Sequence, residues 1–167
     1  MSYATVAELL NRFDAEEIAQ RADRSIPRLV SADLLRAAAG AEDLSAYTAA
    51  EQSAASTALA VVTQALADAD STIDGYLSSR QAVPLASPPV VIKRLACDMA
   101  RYYIYDDQVT EVIQKRYDAA LAFFREVAAG RVSLGVDLGA AAQPSGGSVE
   151  MVTDATAFGR KASQGFI

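Results

Sequence analysis

The 167-residue chain carries a net charge of −6, is 51% hydrophobic, and contains one cysteine and no histidine. Lack of imidazole excludes the usual zinc sites, Ser-His and Cys-His nucleophile pairs and histidine acid/base chemistry, and Cys97 alone can form no internal disulfide. The acidic balance argues against gripping a nucleic-acid backbone. No charge-free apolar run reaches the roughly 18 residues of a membrane span, and Met1-Ser2-Tyr3-Ala4 is no signal pattern, so a soluble protein made in cytoplasm is expected.

Thr5-Val6-Ala7-Glu8 has the form of a capping box, with Val6, Leu9, Leu10 and Phe13 following on one face of a short helix. Asp14-Ala15-Glu16-Glu17 repeats the start signal and opens a second short helix to Arg21, with Ile18 inward. Two such helices suggest a DNA-binding regulator, but Glu16 and Glu17 sit where phosphate or base contacts are needed. Ser31 caps a helix over 32–39 ended by Gly40, and 41–47 reads as loop.

Thr48-Ala49-Ala50-Glu51 is another capping box and begins the longest element. Ala55, Leu59, Val62, Leu66, Ala69, Ile73 and Tyr76 alternate spacings of four and three, the seam of a helix packed lengthwise on another. A helix over 49–79 would be about 46 Å long, against about 36 Å for the diameter of a compact domain of this size. It therefore either overhangs its own domain, to be covered by neighbouring copies, or kinks at Gly75.

Residues 80–87 form an extended connector, since Pro84 disfavours helical backbone at Val83. Pro88 and Pro89 suit the cap and first turn of a helix over 88–106, and Ile92, Leu95, Met99 and Tyr102 or Tyr103 make its apolar stripe. That helix is expected to be the most buried. A last helix over 110–129 turns Ile113, Tyr117, Leu121, Phe124 and Val127 inward and stops at Gly130. The predicted core is Leu66, Ile73, Leu95, Met99, Tyr102, Tyr117, Leu121 and Phe124. The fold class is mainly α: a helical domain over 1–130, a bundle of about four to five helices around a long central one.

Asp70, Asp74 and Asp98 with Arg94 and Arg101 are the candidate polar cluster. One reading makes them the site of a carboxylate-dependent helical enzyme. The other has Asp74 or Asp98 accepting a forked bond from Arg101 at a helix seam, and it is favoured because no ligand-rich loop accompanies the carboxylates. Tyr102, Tyr103 and Tyr105 suit core filling and a subunit contact. No cofactor or metal is expected.

Beyond Gly130 the pattern changes to that of an extended arm, 131–167. Val132, Leu134, Val136 and Leu138 alternate with polar or small residues, a strand pattern with no partner strand elsewhere. Gly139–Ser148 is a small-residue linker, and Phe158, Arg160, Lys161, Phe166 and Ile167 end a peptide that cannot fold alone. Val132, Leu134, Val136, Leu138, Phe158, Arg160 and Phe166 are the candidate interface to other subunits, by addition to another chain's sheet edge. Charge is uneven too: residues 1–79 sum to −7 and 80–131 to +2. Opposite signs allow attraction between copies, although a solvated surface gives the same pattern.

The order of Tyr3-Ala4-Thr5-Val6-Ala7-Glu8-Leu9-Leu10, Ile73-Asp74-Gly75-Tyr76-Leu77, Pro84-Leu85, Pro88-Pro89, Leu95-Ala96-Cys97-Asp98-Met99-Ala100-Arg101-Tyr102 and Ala129-Gly130-Arg131-Val132-Ser133-Leu134-Gly135 resembles the Mu-like phage and prophage family of small head-to-tail connector proteins. Residues 28–50 are longer than that family's usual link. The resemblance implies a non-enzymatic virion protein that assembles as a homo-oligomeric ring of twelve copies between the portal protein and a stopper or tail-completion protein. DNA would pass through the ring without sequence-specific binding, and the C-terminal segment would reach the portal.

Overall fold

The computed structural model describes residues 2–135. Six helices run through them: α1 (Val6–Arg12), α2 (Ala15–Ala22), α3 (Ala32–Ala39), α4 (Ala49–Leu77), α5 (Val90–Tyr105) and α6 (Glu111–Ala128), with a 3-10 turn at Asp106–Gln108. The six match the starts read along the chain one by one, and exceed the four to five expected of the bundle as a whole because the three short N-terminal helices pack into it too.

Local chemistry sets the helix starts. Thr5 with Glu8 and Thr48 with Glu51 form complete reciprocal capping boxes, while Asp14 and Ser31 cap α2 and α3 through their side chains. At α5 the start falls at Val90, two residues later than expected. A proline makes the preceding residue avoid helical backbone, so Pro88 cannot be helical before Pro89, and Pro89 becomes an extended N-cap at φ −58°, ψ 154°.

Helix α4 runs unbroken through Gly75 for 29 residues, so, of the two alternatives, no break in the helix falls there. Its first six residues, 49–54, include none that is buried. From Ala55 to Leu77 every turn is covered, by α2 and α3 as well as by α5 and α6. Ala54 already touches the core, so the overhang is about one and a half turns, and the N-terminal helices pack along the rest of α4.

All the large helices meet in one core. Leu66, Ile73, Leu95, Met99 and Phe124 are buried as expected, whereas Tyr117 and Leu121 lie at the core's margin and Tyr102 is half-buried outside it. Tyr3, Leu9, Ile18 and Leu35 join it from the N-terminal segment. Each short helix offers only two to four buried residues, too few for periodicity alone to reveal.

Helix α6 ends in a Schellman motif. Gly130 N donates to Val127 O at 2.9 Å and Arg131 N to Glu126 O at 3.0 Å, with Gly130 at φ +75°. At the end of α3 the positive φ, 53°, falls on Ala41 rather than on Gly40. Arg80 donates from Nε to Ala128 O at 3.0 Å, placing a cation on the carbonyl end of α6. The strand expected at Val132 and Leu134 is not there, and among the described residues there is no strand at all. A strand needs a sheet edge to bond to. Here Arg131 is tied to Glu126 and Leu134 packs against the helical core instead. Val136 and Leu138 lie outside the described residues.

A Cβ at Gly130 would stand 2.6 Å from Arg80 NH2 in a backbone conformation that L side chains avoid. Gly130→Ala is expected to lower stability by about 1–3 kcal/mol, from the left-handed strain and the displaced Arg80 cap. Urea denaturation checks this; an unchanged midpoint would show that neither constraint operates.

Candidate functional site

The structure does not bring Asp74, Asp98 and Arg101 together. Arg101, on α5, forks onto Glu17 of α2, with Nε donating to Oε1 at 2.8 Å and NH2 to Oε2 at 2.7 Å. The Tyr105 hydroxyl donates to the same Glu17 Oε1 at 2.6 Å, and the Arg101 guanidinium lies 4.6 Å from the centre of the Phe13 ring. Arg21 covers Tyr105 at 4.5 Å and donates to Gln108 at 2.9 Å. Glu17 was legible only as an acidic residue in the first turn of α2. Its partner stands 84 positions later, beyond any local signal.

Asp74 instead accepts from the Tyr3 hydroxyl, whose oxygen in turn accepts from Leu85 N at 3.1 Å, and Asp70 accepts from Tyr3 N at 3.1 Å. Burial, then the Asp74 bond, pushes the Tyr3 phenol up to about 12, and burial raises the Asp70 carboxyl as well. This arrangement ties the chain's beginning and the 80–87 connector to α4.

Asp98 lies between Arg12 of α1 at 3.5 Å and Arg116 of α6 at 3.8 Å. Its Oδ1 is buried and makes no hydrogen bond, so both contacts are Coulombic. Arg94 is exposed one turn before it. Asp70 and Asp74 are thus both committed to Tyr3 and Asp98 to the Arg12/Arg116 pair, and among the described residues no three acidic or sulfur side chains converge as metal ligands would. Burial also pushes the Cys97 thiol up to about 11, which keeps it protonated near neutrality.

The tyrosines form an aromatic cluster between α5 and α6. Tyr102 and Tyr117 rings are parallel with centres 3.9 Å apart, and Tyr103 meets both edge-on while its hydroxyl lies 3.1 Å from Thr72 Oγ1. Of the expected interface residues, Val132 is exposed and Leu134 half-buried. Val136, Leu138, Phe158, Arg160 and Phe166 lie outside the described residues.

One feature escaped sequence reading altogether. Asp23, buried at the end of α2, accepts four hydrogen bonds: from Ser25 N (2.8 Å) and Oγ (2.5 Å) on one oxygen, and from Leu29 N (2.7 Å) and Val30 N (2.9 Å) on the other. Burial alone would raise its carboxyl, but these bonds outweigh it and hold the group below the ordinary range. Residues 24–28 are thereby pinned at both ends as a loop on the surface.

What these residues assemble is a set of clasps inside a small, mainly helical protein. The chain matches the family described as bacteriophage Mu, Gp36, over residues 3–153. It is 39% identical over 109 residues to gene product J of Escherichia phage Mu, covering 65% of this chain and 77% of that protein. It is also 35% identical over 108 residues to the Mu-like prophage FluMu protein gp36 of Haemophilus influenzae, with the same coverage of 65% and 77%. The chain belongs to the bacteriophage Mu Gp36 family. Among the described residues no helix is long and apolar enough to cross a membrane.

Arg101→Ala is expected to cost about 1–3 kcal/mol by leaving Glu17 and Tyr105 half-satisfied, and Arg101→Lys to recover only part, because an ammonium cannot fork. Thermal and urea melts compare them; a neutral alanine variant would show the pair to be a surface contact. For Asp23 the folded pKa lies below the unfolded value of about 3.9, so its stabilisation is present above that pH and lost as pH falls through the folded value. Asp23→Asn should lower stability by about 1–3 kcal/mol at neutral pH and flatten the acid-side slope. Urea midpoints at stepped pH measure both, and parallel slopes in the two proteins would exclude the linkage.

Proposed function

We propose that the protein is a structural, non-enzymatic head-to-tail connector of a Mu-like phage virion. It acts as an adaptor in a ring of twelve copies between the portal protein and the stopper or tail-completion protein. It is made in the cytoplasm of the bacterial host and ends in the neck of the particle. DNA passes along the ring's channel without sequence-specific contact, and no membrane is involved. The observation that carries this reading is family membership, which spans the helical domain and part of the arm.

The two rival readings lose support from the positions of their own residues. A carboxylate-dependent enzyme needs Asp74 and Asp98 in a common site, and they serve Tyr3 and the Arg12/Arg116 pair respectively. A DNA-binding regulator needs α2 to present cations, whereas its Glu17 faces Arg101 and its Glu16 accepts from Ala32 N at 3.1 Å.

The arm is the portal-directed part of this proposal, through Val132, Leu134, Val136, Leu138, Phe158, Arg160 and Phe166. The full chain mixed with the portal protein of its own phage is expected to give a ring-on-ring particle by negative-stain imaging. A chain stopped after Gly135 should keep its melting temperature and lose docking. Retained docking would remove residues 136–167 from the contact, and absence of any complex with the full chain would remove the connector role.

A further inference from the structure

The loop held by Asp23 presents an apolar residue in an unusual way. Ile26, at its apex, is 99% exposed, more than any other large hydrophobic residue described. Arg24 and Arg28 flank it, both exposed, and among the described residues neither is within ion-pair distance of a carboxylate. Because four hydrogen bonds onto one buried carboxylate already order this backbone, little conformational entropy remains to be lost when the loop meets a partner. An apolar apex between two arginines is the composition of an interface anchor, and its partner must offer a small-residue recess with acidic groups.

The same chain offers that recess. Helix α4 contains no lysine or arginine, and of its carboxylates Asp68 lines that recess, while Asp70 and Asp74 are held by Tyr3 and Glu51 by the Thr48 cap. Along its outer side runs an open groove of about 530 Å³ lined by Thr57, Ala60, Val61, Gln64, Asp68 and Tyr103, with Arg24 at one edge and Asp106 beside it. Small side chains there leave room for a branched aliphatic group, and Asp68 and Asp106 supply the charge opposite to that of the loop. Loop and groove are neighbours on one surface, so an intramolecular fit would need the loop to leave its Asp23 anchor.

We propose that residues 24–28 of one copy dock into the α4 groove of a second copy, Ile26 entering between Ala60 and Val61 while Arg24 and Arg28 face Asp68 and Asp106. This deepens the connector reading by naming a subunit contact, and rests on that reading for the ring in which the contact would operate.

Sedimentation of the full-length chain up to sub-millimolar concentration tests it, with circular dichroism melts as the check on folding. Ile26→Asp, and Arg24→Glu with Arg28→Glu, are each expected to weaken self-association by about tenfold or more without moving the melt. Asp68→Lys should weaken it likewise, and mixing that variant with the double-glutamate variant should restore association that neither shows alone. Wild-type chain that stays monomeric, or variants that associate as it does, would overturn the proposal. So would a double-glutamate variant that loses only salt-sensitive retention of DNA, which would assign the arginines to nucleic acid. Failure of the connector reading looks different: self-association persists while portal binding is absent.

Discussion

The constraint on which this structure depends is the enclosure of α5. Six consecutive residues, Leu95 to Ala100, are buried, which a helix lying on a surface cannot achieve. Helices α4 and α6 pack most extensively on it and α1 and α2 also contact it, while the small side chains of Ala96 and Ala100 are fully buried. A helix enclosed in this way carries its polar residues into the interior with it. Asp98 and Arg101 then require charges from outside α5, and the helices that provide them are held in place by doing so.

Two N-terminal helices owe their positions to that requirement. Glu17 of α2 meets Arg101, and Arg12 of α1 reaches toward Asp98. Glu8 serves twice: it closes the capping box of α1, and it pairs with Lys93 of α5 at 3.0 Å. The Thr5 amide first and Lys93 second hold its carboxyl below the usual range. None of these pairs is a deep ion pair in a dry core, so each adds a modest amount to stability. Their larger effect is geometric: they select one packing of short helices whose apolar residues alone would leave the arrangement underdetermined.

With most interior polar groups engaged in this way, the outward chemistry is left to a few places. They are the loop over 24–28, the groove along α4 that Asp68 and Asp106 line, and the segment that leaves α6 at Gly130. The exit at Gly130 is itself defined by the Schellman turn, by Arg131 on Glu126 and by Arg80 on Ala128 O, so the segment departs from a fixed point.

The sequence by itself determined what depends on neighbours a few residues apart. Capping boxes at Thr5 and Thr48, the caps at Asp14 and Ser31, the stop at Gly130 and the inward stripes of α4, α5 and α6 were all legible, because those signals act within one or two helical turns. The strand expected at Val132 failed because alternation states only what a segment could do beside an edge, and the described residues supply none. Tertiary structure alone decided the pairing of Arg101 with Glu17 rather than with Asp74 or Asp98. It likewise decided the binding of Tyr3 to Asp74 and the gathering of four donors around Asp23. These bonds join positions brought together by burial of the enclosed helix, and no local pattern encodes which of several carboxylates an arginine will meet once the helices have packed.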